Sequence, residues 1–274
     1  MKNSKLTIFS NIDYFKRLKR ASSAKTKGDK VMKIREKFLK TVVPVFAAIL
    51  FMITAPTSGS AVSASFTIIP PDDAQAQTGK TYGEWSALWW QSTMSVPFAD
   101  NPIIDPTGAK CRQGQIAGSA VFFLRSTTGG NLTRSGCVVP AGKILFLPLL
   151  TFANYQSADD KSKEPEHSIR NYLNGFVRST RELQVNIDGT DVGTTVNLQP
   201  HATPLRAKSP DGFFTFIAPE NNIFGGTPGL SYDWISDGFY LIVAPLSPGA
   251  HTITFGGTSR NFEAYVTYNL IVEP

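Results

Sequence analysis

Residues 239–257 read FYLIVAPLSPGAHTITFGG, two runs of apolar and β-branched residues on either side of Ser247-Pro248-Gly249. Such runs are typical of β-strands, and a Ser-Pro-Gly sequence is typical of the turn that joins two strands. A further run, FEAYVTYNLIVE at residues 262–273, follows after a short gap. These residues therefore predict successive strands joined by short turns in the last part of the chain.

The preceding part of the chain repeats this pattern. Strand-like runs occupy residues 118–127 and 137–152, and residues 183–198 alternate around Asp188-Gly189 as expected for a hairpin. Pro148 has no backbone N–H, so its strand must lie at an edge or contain a bulge. Strands at this spacing predict a mainly β fold: an antiparallel β-sandwich or jelly roll with two short amphipathic helices.

The first of these helices is predicted from TYGEWSALWWQSTMSVP at residues 81–97. Thr81 and Glu84 have the spacing of a capping box, and Pro97 is a stop signal at the other end. Helical spacing places four apolar residues on one stripe that should face the core, namely Tyr82, Trp85, Leu88 and Trp89. Trp90 lies about 100° round the helix from Trp89. We therefore expect Trp90 to project towards water.

The second helix is predicted after Pro165, which is suited to a first helical turn. Apolar residues then recur at helical spacing, and they are Ile169, Tyr172, Leu173, Phe176 and Val177. Residues 66–80 show no periodicity and contain two prolines, so we expect an extended strand and a linker there.

The N-terminal residues have the layout of a secretory signal. Residues 42–54 form an apolar run, VVPVFAAILFMIT, which follows several lysines and precedes small residues that end at Ala64. The run is shorter than the roughly 20 residues that a membrane span needs. We expect cleavage after Ala64, which leaves residues 65–274 as one exported β domain, secreted or periplasmic. Met32 opens a more typical signal than Met1, so either could be the true start.

The charge of the chain limits its expected partners, and its cysteines indicate the compartment. The chain has 27 Lys+Arg and 21 Asp+Glu, of which residues 1–64 hold 13 and 3, so residues 65–274 carry 14 basic and 18 acidic side chains. This mild acidity removes the argument for a nucleic-acid partner, and nothing after the leader predicts stable membrane insertion. Cys111 and Cys137 lie in the exported portion, where an oxidising compartment favours a disulfide between them.

Several segments together resemble an uncharacterised family of exported bacterial proteins. They are YGEWSALWWQ with its W-x-x-x-WW-Q pattern, NPIIDPTGAKC, GCVVPAGKILFLPLL with its VPAGK segment, LSPGAHTITFGG and VTYNLIVEP. The likeness spans nearly all of residues 65–274. It implies export and a single domain, and it carries no catalytic residue over to this chain.

Few residues are candidates for chemistry. His167, His201 and His251 are the only histidines and lie far apart, so the sequence predicts neither a metal site nor a cofactor. Asp233 and Asp237 flank Trp234 and share a face if the segment is extended. Two carboxylates beside an indole occur in glycosidases, although they are also ordinary surface-turn residues.

The sequence therefore predicts a binding protein rather than an enzyme. Its expected ligand is a glycan or another cell-envelope component, with Trp90, Trp234 and Tyr232 as stacking candidates. One alternative is a polysaccharide-active hydrolase or lyase that uses Asp233 or Asp237 as acid or base. The other alternative is a structural or adhesion module of the envelope. A cleft with two carboxylates would favour the enzyme, and fully buried tryptophans without a cleft would favour the structural module.

Overall fold

The computed structural model describes residues 66–274, so the predicted leader and its cleavage point lie outside the described residues. In this part of the chain the α-helices are α1 (Pro71–Thr78), α2 (Tyr82–Met94) and α3 (Glu166–Val177). The strands, in chain order, are β1 (Ile68–Ile69), β2 (Val121–Phe123), β3 (Gly130–Arg134), β4 (Val138–Val139), β5 (Ile144–Ser157), β6 (Thr180–Ile187), β7 (Thr190–Asp191), β8 (Arg206–Lys208), β9 (Phe214–Ile217), β10 (Ser231–Val243), β11 (Gly249–Ser259) and β12 (Phe262–Val272). They form two six-stranded sheets.

The first sheet is built on β5 and β10, which run antiparallel over most of their length. β1, β8 and β9 pair in succession with the other edge of β10, and β2 pairs with β5 in parallel. Every residue of β10 from Trp234 to Val243 is buried. Because side chains alternate between the two faces of a strand, both faces of this sheet are covered.

The second sheet has the β11–β12 hairpin at its centre. β6 pairs with β11 and carries β7 at its far edge, while β3 and β4 run parallel to β12. Buried and outward residues alternate along β12, with Ala264, Val266 and Tyr268 among those that face the core. One face of the second sheet is therefore open to water, as is common for largely antiparallel sheets.

The covering elements differ on the two faces of the first sheet. On one face the ring of Trp90 in α2 stacks on Trp234, with centroids 6.1 Å apart. On the other face Phe152 of β5 contacts Phe176 of α3 and Phe262 of β12. The core thus has two layers, one beneath α2 and one between the two sheets.

The predicted fold class is confirmed: the protein is mainly β and consistent with a β-sandwich. Both sheets are mixed, because β2, β3 and β4 pair in parallel. Of the extended strand and linker predicted for residues 66–80, the strand is confirmed as β1, but the linker is wrong, because α1 forms there. Pro71 stands at the start of α1 and Gly79 ends it at φ +82°. Only Ala74 of α1 is buried, so the helix leaves no apolar periodicity in the sequence.

Several local predictions are confirmed. The Thr81 hydroxyl accepts from the Glu84 amide at 3.2 Å, and Glu84 accepts from the Thr81 amide at 2.8 Å, which is the capping box. β5 is bulged beside Pro148, where its pairing with β10 shifts register. Cys111 and Cys137 form a disulfide with a Cα–Cα distance of 5.5 Å. Of the strand predicted after Asp188-Gly189, only the two residues of β7 form.

Candidate functional site

Trp90 does not project towards water, so the expectation of an exposed indole is wrong. It is 3% exposed, and its Nε1–H donates to the Thr151 hydroxyl at 3.1 Å. Its neighbour Trp89 donates to the Leu124 carbonyl at 2.9 Å. The two rings therefore pack on different parts of the chain. Other elements cover α2 on more sides than the single apolar stripe predicts. Trp90 therefore belongs to the core together with Trp85 and Trp89.

The other two stacking candidates are also inside. Trp234 is fully buried and Tyr232 is 7% exposed. Trp234 packs within 6.1 Å, between ring centroids, of four aromatic rings, those of Trp90, Tyr155, Phe216 and Phe224. The Tyr232 hydroxyl accepts from the Thr227 amide at 2.8 Å. None of the three predicted stacking residues offers a face to a ligand in this structure.

A small crevice borders Trp90 and is too small to change this conclusion. Its lining includes Trp89, Trp90, Thr151 and Phe262, and its volume is about 30 Å³. That volume has room for only about two water molecules. A sugar ring cannot reach the indole of Trp90 through it.

Asp233 and Asp237 lie on the same face of β10, as expected for an extended segment, but each has its own partner. Asp233 Oδ2 is 2.8 Å from Lys163 Nζ. Arg206 donates to both oxygens of the buried Asp237, at 3.0 Å and 2.6 Å. Four residues of strand separate the two carboxylates by about 13 Å along the chain. Glycosidase pairs lie about 5 to 10 Å apart, so these two residues do not form such a pair.

Both ring nitrogens of His251 contact groups within the protein. Its Nδ1 lies 2.7 Å from Asp188 Oδ2 and its Nε2 lies 2.8 Å from the Ser247 carbonyl oxygen. These contacts tie the turn after β6 to the start of β11. Within residues 66–274 no three His, Cys, Asp or Glu side chains are grouped so that they could hold a metal ion.

Two buried arginines, which no sequence pattern indicates, stabilise the loops around β2 and β3. Arg125 donates to the Trp89 carbonyl and the Thr93 hydroxyl, and burial lowers its pKa to about 9. Arg134 donates to backbone carbonyls, including that of Ile103, and lies over the ring of Tyr268. Both guanidinium groups are fully buried, so neither is accessible to an anionic ligand.

The best candidate site in the described residues is a depression of about 430 Å³ on the outward face of the second sheet. We call it the second-sheet depression. Its volume lies in the range of small-molecule sites, which is about 300 to 1,000 Å³. Residues of β3, β6, β11 and β12 line it, namely Asn131, Leu132, Thr133, Glu182, Gln184, Thr254, Tyr265 and Thr267.

Tyr265 is the one aromatic residue in this lining, and its ring lies over Gly256 on the neighbouring strand. A Cβ atom at Gly256 would be 2.5 Å from Tyr265 Cδ1. The phenol donates to Glu182 Oε2 at 3.2 Å and is 2.9 Å from the Thr258 hydroxyl, which therefore donates to it. Partial burial raises the pKa of this phenol. The ring is thus held across the strands and remains protonated at neutral pH.

Cross-strand register arranges the surrounding side chains in rows. One row runs Thr133, Thr267, Thr254 and Asn186, and the next runs Asn131, Tyr265, Gly256 and Gln184. Neighbouring strands lie about 4.8 Å apart, and rows two residues apart lie about 6.8 Å apart. The Thr254 and Thr267 hydroxyls are hydrogen-bonded at 3.0 Å. The surface therefore presents a regular grid of hydroxyl and amide groups around one aromatic ring.

Sequence patterns predict the strands of this face but not the site. The sequence signal of the site is the alternation in EAYVTYNL at residues 263–270. Polar side chains and one tyrosine fall there on the face opposite the core residues. A strand considered alone does not say which residue stands opposite Tyr265. The register between β11 and β12 determines that a glycine stands opposite Tyr265.

The chain matches no known family model and no curated protein sequence. Its resemblance to exported bacterial proteins therefore stays a prediction. Within residues 66–274 no helix is long and apolar enough to cross a membrane.

Proposed function

We propose that this chain is an exported carbohydrate-binding protein that binds a glycan of the cell envelope in the second-sheet depression. The observation that carries the proposal is the ring of Tyr265, which lies across the strands at Gly256 among hydroxyl and amide groups. An aromatic face packs against the apolar face of a sugar ring. Side chains that both donate and accept hydrogen bonds suit the hydroxyl groups around that sugar.

Two observations support the location in the proposal. The leader has the layout of a secretory signal. The disulfide between Cys111 and Cys137 suits an oxidising compartment. Each of these favours the outside of the cytoplasm, where envelope glycans are found.

The enzyme alternative lacks comparable support. It requires two carboxylates across a cleft, whereas Asp233 and Asp237 are ion-paired with different partners and stand about 13 Å apart along β10. The structural-module alternative gains support from the buried tryptophans. A depression lined by groups that can bind a ligand favours binding over a purely structural role.

A glycan array tests the proposal with the wild-type protein and two variants. Tyr265→Ala removes the ring from the depression, and Tyr172→Ala removes a half-buried tyrosine that lies outside it. We expect binding to at least one glycan, a loss of about tenfold or more in Tyr265→Ala, and little change in Tyr172→Ala. Binding to no glycan, or equal binding by all three proteins, would refute the proposal.

A further inference from the structure

The charges of the second-sheet depression restrict which glycans it can take. Of the eight lining residues seven are uncharged and the eighth is Glu182. Glu263 lies close enough to raise the pKa of the Tyr265 phenol by its charge, as Glu182 does. No Lys, Arg or His belongs to the lining. An anionic ligand would meet two carboxylates and no lining cation.

We infer that the ligand is an uncharged glycan chain and that Glu182 determines this specificity by excluding anionic chains; the inference rests on the proposed carbohydrate-binding function. Like charges brought together at an interface oppose binding strongly. Uronate-, sulfate- and phosphate-bearing chains are excluded on this ground. Sugar hydroxyls, in contrast, can donate to the carboxylate of Glu182.

The uncharged lining groups match an uncharged chain. The hydroxyls of Thr133, Thr254 and Thr267 can each donate and accept, and the amides of Asn131 and Gln184 present both kinds of group. Sugar hydroxyls have the same dual character. A cationic chain would find one carboxylate in the lining, which already accepts from Tyr265, whereas five of the eight lining residues present the hydroxyl and amide groups that suit an uncharged chain.

The extent of the depression indicates a chain rather than a monosaccharide. Its lining spans four adjacent strands, β3, β12, β11 and β6, which is about 14 Å across. Tyr265 lies on the second of these strands, so polar groups flank its ring on both sides. One sugar ring can stack on Tyr265 while its neighbours in the chain contact Asn131 and Gln184 on the two sides.

Matched polysaccharides test this inference. One pair is fully methyl-esterified polygalacturonate and its de-esterified acid, which share a backbone and differ in charge. The array carries similar pairs built on glucan, mannan and xylan backbones, each as the parent chain and as a carboxylated derivative. Wild type, Glu182→Gln and Tyr265→Ala are compared on every pair. Glu182→Gln keeps an acceptor for the Tyr265 phenol and removes the charge.

We expect wild-type protein to bind one or more uncharged chains at least about tenfold more tightly than their carboxylated partners. In Glu182→Gln the ratio should fall to about threefold or less, because the carboxylated chain should bind more tightly once the opposing charge is removed. Binding of the uncharged chain should also be insensitive to salt between about 0.05 M and 0.5 M, because no ligand charge is screened.

The outcomes separate this inference from the proposed function. Tyr265-dependent binding of carboxylated chains by wild-type protein would overturn the inference and leave the proposed function standing. An unchanged ratio in Glu182→Gln would overturn the role assigned to that residue. Binding to no chain at all, or binding that Tyr265→Ala does not weaken, would overturn the proposed function and the inference with it.

Discussion

The ring of Tyr265 lies over Gly256, its direct partner across the β11–β12 hairpin. A Cβ atom at that glycine would stand 2.2 Å from the Ala264 carbonyl oxygen and 2.5 Å from Tyr265 Cδ1. The absence of a side chain at Gly256 therefore lets the ring lie across the strand. The flat centre of the second-sheet depression depends on this pair.

Gly256→Ala should therefore displace the Tyr265 ring. We expect a loss of about 1 to 3 kcal/mol in the free energy of unfolding, as for other overpacked sites, together with weaker glycan binding. Chemical denaturation measures the first effect. Gly175→Ala in α3 is the control, because its Cβ would meet only the flexible end of Arg260 and alanine favours helix by about 1 kcal/mol. Equal stability of the two variants would contradict the packing described for Gly256.

Trp90 should contribute to stability as much as Trp89 does. Both indoles are buried and hydrogen-bonded, so Trp90→Ala and Trp89→Ala should each cost about 3 to 5 kcal/mol in the free energy of unfolding. Acrylamide should quench the fluorescence of the native protein weakly, because all four tryptophans are at most 4% exposed. A cost for Trp90→Ala less than half that for Trp89→Ala would show that Trp90 is exposed.

The wrong prediction for Trp90 shows what helical periodicity can and cannot predict. Thr81 and Glu84 are three residues apart, so their capping box is a local feature that the sequence specifies. Helical spacing also gives the angle of Trp90 relative to Trp89. It does not say how many elements surround the helix, and here Leu124 and Thr151 receive the two indoles on separate sides.

The sheets also combine local features, which the sequence specifies, with pairings between distant residues, which it does not. Pro148 cannot donate to a ladder, so a bulge or an edge could be predicted from that residue alone, and the structure has the bulge. The parallel pairing of β3 with β12 joins residues more than 130 positions apart, such as Thr133 and Thr267. No local pattern encodes that pairing. The part of the candidate site that β3 supplies, which is three of the eight lining residues, could therefore not be predicted from the sequence.

Asp237 should matter for stability more than Asp233. Asp237 is buried and accepts two hydrogen bonds from the partly exposed Arg206, so Asp237→Asn weakens both bonds and should cost about 1.5 to 3 kcal/mol in the free energy of unfolding. Asp233 pairs with a partly exposed lysine, so Asp233→Asn should cost about 1 kcal/mol or less. Thermal unfolding of both variants measures the difference. Equal costs would contradict the assignment of Asp237 to a buried ion pair.

Alkaline pH should destabilise the protein through Tyr240. Burial raises the pKa of its phenol to about 12 in the folded state, against about 10 in an unfolded chain. A raised folded-state pKa gives stability that is fully present below about pH 10 and is lost as pH rises through about 12. The stability of Tyr240→Phe should therefore fall less steeply between these pH values. Ionisation of every tyrosine near pH 10 with the fold intact, measured by phenolate absorbance, would contradict this burial.

The most direct test of the proposed function is calorimetric titration of the wild type, Tyr265→Phe and Tyr265→Ala with the glycan that binds the wild type best. If the ring stacks on a sugar, Tyr265→Phe should keep the affinity within about tenfold, since it loses only the hydrogen bonds of the phenol. Tyr265→Ala should lose more than Tyr265→Phe, by about a further tenfold, because the aromatic face itself is removed. Equal affinities for all three proteins would contradict glycan binding at Tyr265.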